Sequence, residues 1–413
     1  MSNNTTIAIT GVTGLLGRNI LFEYLMQYKN KLSNLNLILF GRDYKNIYLK
    51  DRIKNIFLED GRYYLDLKNN ELKVFLNFLD KNVVYIHLDF EKYNLGLVVK
   101  DVEKLKLQHI DIFYHPGAYT SFSSSDNTKE KVDNINTIGT EKLLNILKKL
   151  NINRFCYFSS AFATGLLTEK VLPNDLELER EYRNPYEQSK LKAEVIVRKF
   201  EKENNIPSYI FRTSILAGRL IEKNLGQIHK FDVFYGWTQF FLKTKQSLLP
   251  NGADLYKTPL NIDIRLLANE KSTLNIIAAD FAAKATIDIM SKKHIKYNAF
   301  HLTNSCESEF IVPIMNFLNI TGYQFVKEIP QSLNKIENLY YRSVGKLFND
   351  YMQNKGEMYF DNSSLTQSLS NDIFCPQINK KELLMLLEYA KQKNFGLQFY
   401  EESKMKYKEL KGA

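Results

Sequence analysis

Tyr186 and Lys190 lie four residues apart in Asn184-Pro185-Tyr186-Glu187-Gln188-Ser189-Lys190-Leu191-Lys192-Ala193-Glu194. On a helix that spacing puts both on one face. A lysine charge one turn from a phenol favours the phenolate. The pair therefore predicts a tyrosine whose pKa is lowered enough to donate a proton near neutral pH. Upstream, Arg154-Phe155-Cys156-Tyr157-Phe158-Ser159-Ser160-Ala161-Phe162-Ala163-Thr164-Gly165 reads as a strand delivering two serines at its carboxyl end, where a hydroxyl can hold a substrate oxygen beside that phenol. In a chain with 25 tyrosines and many lysines, Tyr-x-x-x-Lys also arises by chance on a solvated helix face. Chain order gives it weight here: a glycine turn, then a strand-end serine, then the Tyr-x-x-x-Lys helix.

The glycine turn lies in Ile7-Ala8-Ile9-Thr10-Gly11-Val12-Thr13-Gly14-Leu15-Leu16-Gly17-Arg18-Asn19-Ile20. An apolar strand feeds it and a helical pattern leaves it. Gly11 permits the tight turn, Gly14 lets the backbone approach a pyrophosphate, and Gly17 lets helix and strand pack closely. The phosphates would rest on free N–H groups at the positive helix end. The spacing is Gly-x-x-Gly-x-x-Gly, and Thr13, Leu15 and Leu16 count with the glycines as cofactor-binding residues. The next strand ends Leu39-Phe40-Gly41-Arg42-Asp43. Gly41 occupies the place where an NAD-selective fold carries an acid for the ribose 2′-hydroxyl, and Arg42 offers a planar fork of donors to a 2′-phosphate. The expected cofactor is NADP(H) rather than NAD(H). The plainer alternative is a surface arginine in a turn, with Asp43 capping a helix.

Strands are expected at 6–10, 36–40, 83–88, 110–115, 153–158 and 207–212, with helical patterns between them, such as 129–150 and 186–205. Alternation of continuous apolar strands with helices implies an α/β fold: a Rossmann-type doubly wound parallel sheet whose ligand sits beyond the carboxyl ends of the strands. After residue 218 the rhythm breaks. Residues 219–272 look irregular and aromatic-rich, a strand and helix return at 274–291, and helical stretches follow at 338–354 and 380–393. The expected division is a dinucleotide-binding domain over 1–218, to which 273–304 returns, and a smaller, mainly helical C-terminal substrate lobe within 219–413.

The chain has 413 residues, 44% of them apolar and 25% charged, as expected of a globular protein with a sizeable core. Its net charge of +10 is spread along the chain, which suits a solvated surface or an acidic partner better than nucleic acid. Cys156, Cys306 and Cys375 lie far apart without metal-type spacing, the six histidines form no HExxH, and no apolar run approaches a membrane span. Met1-Ser2-Asn3-Asn4-Thr5 lacks the basic start and apolar core of a signal peptide, so a cytoplasmic location is expected.

Over about residues 5–300 the chain resembles the extended short-chain dehydrogenase/reductases. Thr10-Gly11-x-x-Gly14-x-x-Gly17 matches their dinucleotide turn, and His115-Pro116-Gly117-Ala118 is similar to their fourth-strand His-x-Ala-Ala, with Gly117 replacing the first alanine. Asn136-Thr137-Ile138-Gly139-Thr140 is similar to their Asn-x-x-Gly-Thr. Phe211-Arg212-Thr213-Ser214-Ile215-Leu216-Ala217-Gly218 is similar to their Arg-Pro-Ser/Thr-x-x-x-Gly, with Thr213 in place of proline. The resemblance implies Ser160, Tyr186 and Lys190 as the catalytic three. Ser160 is preferred to Ser159 because its distance to Gly165 matches the family motif. The resemblance also adds Gly117, Ala118, Asn136, Thr213 and Ser214, with Tyr186 and Lys190 themselves, to the cofactor-binding set.

Two segments resemble the thioester and fatty-acyl reductase branch. One is Asp89-Phe90-Glu91-Lys92-Tyr93-Asn94-Leu95-Gly96-Leu97, preceded by Leu88 instead of glycine. The other is Leu274-Asn275-Ile276-Ile277-Ala278-Ala279-Asp280-Phe281-Ala282-Ala283, with Ala278 instead of proline. Asp89 and Phe90 would then lie near the adenine. The implied reaction is hydride transfer from NADPH to an acyl thioester, on coenzyme A or an acyl carrier protein, giving aldehyde or alcohol. Tyr235, Trp237, Phe240 and Phe241 would line an acyl channel or simply fill a core. The same residues would also serve ketone reduction, or epimerisation or dehydration of a nucleotide sugar, although such epimerases carry the strand-end acid that Gly41 replaces. A non-enzymatic NADP sensor is the remaining alternative.

Overall fold

The computed structural model describes residues 4–167, 170–352 and 360–397, and the readings that touch residues 1–3 and 353–354 lie outside them. Two compact units emerge. The first comprises Met1–Asn224, Asn275–Cys306 and Gly356–Gln377; the second comprises Leu225–Leu274, Glu307–Lys355 and Ile378–Ala413. In chain order the strands are β1 (Thr5–Ile9), β2 (Leu35–Gly41), β3 (Val83–His87), β4 (His109–His115), β5 (Asn151–Ser160), β6 (Ser208–Thr213) and β7 (Ile215–Ala217). They continue with β8 (Leu260–Leu267), β9 (Thr273–Leu274), β10 (Ile276–Ala278), β11 (Ala299–Leu302), β12 (Ser308–Glu309) and β13 (Ile320–Val326).

The main sheet of the first unit has seven strands in the order β11-β6-β5-β4-β1-β2-β3, and every neighbouring pair is parallel. The order reverses between β1 and β4, and that switch point is where a doubly wound sheet opens a crevice for a dinucleotide. The strands are continuous apolar runs because helices cover both faces. On one face Ile20, Leu21, Phe22 and Leu25 of the helix Leu15–Gln27 share a core with Phe281, Ala282, Ala285 and Ile289 of the helix Ala279–Ser291. On the other face Leu143 and Leu144 of the helix Gly139–Leu147 pack with Ala193, Val197 and Phe200 of the helix Pro185–Asn204.

Several elements differ from expectation. β11 was not expected, being only four residues long and bordered by polar sequence. The helical pattern at 129–150 is a helix Asp126–Val132, a π-helical turn Asp133–Ile138 and the helix Gly139–Leu147. Residues 360–377, counted with the lobe from the sequence, fall in the first unit: Leu365 joins its core and Ser364 Oγ donates to the Ala299 carbonyl at 3.0 Å.

The stretch 219–272, expected to be irregular, contains in its second-unit part the helix Phe234–Leu248 and β8, which pairs in parallel with β13. β8 alternates buried Ile262, Ile264 and Leu266 with exposed Asn261 and Asp263, and β13 mixes polar with aromatic residues, so neither strand is an apolar run. The helices Lys335–Arg342 and Val344–Met352 replace the single stretch expected at 338–354. Tyr235, Trp237, Phe240 and Phe241 are buried, and Trp237 Nε1 donates to Tyr340 Oη at 3.2 Å, so these aromatics form the core of this unit rather than a channel wall. Among the described residues no helix is long and apolar enough to cross a membrane.

Candidate active site

The glycine turn joins β1 to the helix Leu15–Gln27 at the carboxyl edge of the sheet. Gly11 has φ +55°, and a Cβ there would lie 2.7 Å from Gly117 Cα, so the ends of β1 and β4 approach more closely than any side chain permits. A Cβ at Gly17 would collide with the Gly11 carbonyl, so that glycine sets the fit of helix against turn. Gly14 occupies the N-cap position, where no side chain takes the first-turn N–H groups. Such a helix start accepts an anion, and the missing Cβ atoms leave the backbone room to reach it. Leu15 begins the helix, Leu16 is buried beneath it, and the Thr13 carbonyl accepts Arg18 Nη2 at 2.8 Å.

Behind the turn, Arg18 and Arg219 both pair with Asp60, on the π-helical turn Phe57–Gly61. Asp280 accepts the backbone N–H groups of Leu220, Ile221, Glu222 and Phe281, which fixes the loop beyond Arg219. Neither carboxylate could be recognised from sequence as part of this frame, because no local motif announces a long-range partner.

At the end of β2, Arg42 remains half exposed. Its Nη1 lies 3.1 Å from Glu91 and 3.8 Å from Asp89. Asp43 accepts the Leu49 N–H at 2.7 Å, ahead of the helix Leu49–Ile56. Phe90 approaches Gly117 and Gly139, and a Cβ on Gly139 would reach 2.9 Å from the Phe90 ring, so that glycine clears a seat for the aromatic side chain. Ala118 is exposed just beyond. His115 lies between Thr10 Oγ1 (2.7 Å) and Thr140 Oγ1 (3.2 Å), and burial pushes its imidazole down to about 3, so it remains neutral.

The structure brings Ser160, Tyr186 and Lys190 to the same edge: Ser160 ends β5, and the other two lie in the first turns of the helix Pro185–Asn204. Asn184 Oδ1 caps that helix by accepting the Glu187 N–H at 3.1 Å. Ser160 Oγ accepts the Phe162 N–H at 3.2 Å, which leaves its own proton for another acceptor. Ser159 Oγ is buried without a protein partner, and the Ser159 carbonyl accepts Thr213 Oγ1 at 3.2 Å. Ser214 N–H donates to the Leu302 carbonyl at 3.0 Å, which ties the end of β6 to β11. Lys190 Nζ donates to the Phe158 carbonyl at 2.6 Å and stands 4.3 Å over the Tyr157 ring. Burial lowers its ammonium to about 7, against a smaller upward pull from Glu194.

The expectation of an acidified Tyr186 does not hold in this state. Loss of surrounding water, with the Glu187 carboxylate second, raises the phenol above its ordinary value. Both causes act in the same direction, against the charged phenolate.

Asn136, on the π-helical turn, accepts the Tyr119 N–H (2.8 Å) and donates to the Tyr119 carbonyl (3.0 Å) and Ser189 Oγ (3.1 Å). Ser189 Oγ in turn donates to the Tyr186 carbonyl at 2.8 Å, so Asn136 steadies the turn that carries the phenol. Arg212, fully buried, pairs with Glu194 through Nε (3.0 Å) and Nη2 (2.8 Å) and also holds the carbonyls of Leu172 and Asp175. Arg180 binds Asp175 and the Thr164 carbonyl, and Arg183 reaches the Gly165 carbonyl at 2.6 Å. These arginines brace the loop between the serine strand and the tyrosine helix. Among the described residues no group of three or more His, Cys, Asp or Glu could hold a metal ion.

The sequence pattern of the family described as Male sterility protein matches residues 9–286, which include the glycine turn, the strand-end serines and the tyrosine helix. Among curated proteins, one of the subunits of linear gramicidin synthase from Brevibacillus parabrevis is 24% identical over 317 residues, covering 73% of this chain. The chain spans only 6% of the length of that relative. The terminal R domain from the myxalamid PKS-NRPS biosynthetic pathway superposes with a TM-score of 0.69 at 18% identity, covering 95% of this chain and 92% of its own. A thiolation-reductase di-domain from an archaeal non-ribosomal peptide synthetase gives 0.62 at 16%, covering 95% and 91%. At these identities the two structures bear out the fold, an α/β architecture with a Rossmann-type parallel sheet.

Proposed function

Because the chain belongs to the male sterility protein family of NAD-binding proteins, the thioester-reductase type of extended short-chain dehydrogenase/reductase, we propose that it uses NADP(H) to reduce an acyl thioester. What supports the reading is that the glycine turn follows the carboxyl end of β1, Ser160 ends β5 of the same sheet, and Tyr186 and Lys190 lie in the first turns of the helix Pro185–Asn204. The names of the similar proteins support a thioester held on a carrier, and the distributed positive charge suits an acidic carrier or coenzyme A.

Gly11, Thr13, Gly14, Leu15, Leu16 and Gly17 would hold the pyrophosphate, Arg42 the 2′-phosphate, and Asp89, Phe90, Gly117 and Ala118 the adenosine side. Asn136, Thr213 and Ser214 would flank the nicotinamide half. A reduced nicotinamide, when bound, would supply a hydride to the acyl carbon. Ser160 and Tyr186 hold the carbonyl oxygen, and Tyr186 gives it a proton. Lys190 would hold the nicotinamide ribose, and its charge would offset the phenolate left on Tyr186. Cleavage of the carbon–sulfur bond then releases thiol and aldehyde, and a second round would yield the alcohol.

The test is NADPH oxidation with panels of acyl-CoA, carrier-bound acyl, simple ketone and UDP-sugar, run beside NADH. Turnover with the thioesters is expected; oxidation with ketones alone would overturn the substrate class.

The state of Lys190 sets a pH dependence. With its ammonium lowered to about 7, the lysine is charged below that pH and neutral above it. The kcat/KM profile of the free enzyme is therefore expected to fall along an alkaline limb beginning near 7. The linkage to stability runs the other way. Between about 7 and the ordinary lysine value the unfolded chain binds more protons than the folded one, so this group adds stability as pH rises through that window. A kcat/KM profile flat from pH 6 to 9 would remove Lys190 from its assigned role.

A further inference from the structure

We propose that Glu91 is a built-in competitor for the cofactor's 2′-phosphate and sets how strongly this chain discriminates NADPH from NADH; this rests on the reading of Arg42 as the phosphate-binding residue. Arg42 follows directly on β2, where the extra phosphate of NADP(H) would arrive. In this structure its Nη1 is already engaged by Glu91 Oε2 at 3.1 Å, with Asp89 Oδ1 at 3.8 Å. The other oxygen of Glu91 meets Lys131 Nζ at 3.0 Å, and Lys131 lies 5.1 Å over the Tyr119 ring. Lys131 first, then Arg42, holds the Glu91 carboxyl below the usual carboxylate range, so it is charged wherever the enzyme works. Arg52 donates to the Arg42 carbonyl and stands 5.6 Å over the Tyr44 ring, adding a further cation beside Arg42. The Glu91 N–H donates to Asp89 Oδ1 at 3.1 Å, which keeps the carboxylate-bearing loop turned toward Arg42.

A guanidinium edge bound to a carboxylate is a mimic of one bound to a phosphate. NADPH must either displace Glu91 from Arg42 or accept a negative neighbour beside its own dianion. NADH brings only a hydroxyl and leaves the ion pair undisturbed. Glu91 therefore lowers affinity for one dinucleotide and not for the other.

Direct titration of the full chain with NADPH and with NADH, at fixed low ionic strength, tests this without any turnover. Because Arg42 and Glu91 are both partly exposed, Glu91→Gln is expected to tighten NADPH by about two- to fivefold, the range of an exposed ion pair, with NADH unchanged. Arg42→Ala is expected to weaken NADPH selectively. In the Arg42→Ala background the gain from Glu91→Gln is expected to vanish. The proposal is overturned if Glu91→Gln tightens both dinucleotides alike, if it leaves NADPH unchanged while Arg42→Ala weakens it, or if the gain survives without Arg42 and so belongs to Lys131. Should Arg42→Ala leave NADPH untouched, it is the underlying assignment of the phosphate site that fails.

Discussion

Replacing Tyr186 by phenylalanine is expected to lower kcat by about 10²–10⁴, the usual worth of a positioned proton donor. The dinucleotide Kd should change little, because the ring remains. In the wild-type structure the ring packs edge-on against Phe122 with centroids 5.8 Å apart, a contact that phenylalanine keeps. The phenol's raised pKa means the proton is present throughout the neutral range, waiting for an oxygen basic enough to take it. Single-turnover rates with saturating cofactor would isolate this step from binding and release. A variant that turns over at the wild-type rate would leave proton donation to Ser160 or to water, and the catalytic assignment would fall.

The second large effect concerns stability. Glu194 and Arg212 are fully buried and joined by three N–H···O contacts between 2.8 and 3.1 Å. Glu194→Gln removes one charge and strands the other, at a cost of about 3–5 kcal/mol. Urea or thermal unfolding of the purified variant should show the loss directly. Glu194→Leu combined with Arg212→Met is expected to recover only the part of the loss that comes from the stranded charge, because the apolar pair leaves no charge to desolvate but the carbonyls of Leu172 and Asp175 lose their donor. Equal stability of the single variant and the wild type would show that the pair is not the brace inferred here. Arg212 also holds the carbonyls of Leu172 and Asp175, so losing its partner should loosen the loop leading into the tyrosine helix.

Much of the candidate site was legible because its parts are local. The glycine turn needs residues with no side chain at fixed spacing, Tyr186 and Lys190 need one helical turn, and Ser160 needs the end of an apolar strand. Each demand falls within a few residues and leaves a mark on sequence. Asp60, Asp280, Glu91 and Glu194 leave none: each is one carboxylate whose partners lie on other elements, and many exposed acids look the same. β8 and β13 escaped for a related reason, since a half-buried strand with polar alternate positions shows no apolar run.

Sequence alone determined the sheet-and-helix alternation, the cradle at the first turn and the order in which the chemical groups follow, because periodicity and backbone freedom act over one element at a time. The tertiary structure decided what those groups experience. Packing took water from Tyr186 and raised the phenol that spacing had seemed to acidify, brought Lys190 near neutrality, and set Glu91 against Arg42. Desolvation and long-range pairing depend on which surfaces meet, and no window of residues along the chain contains that information.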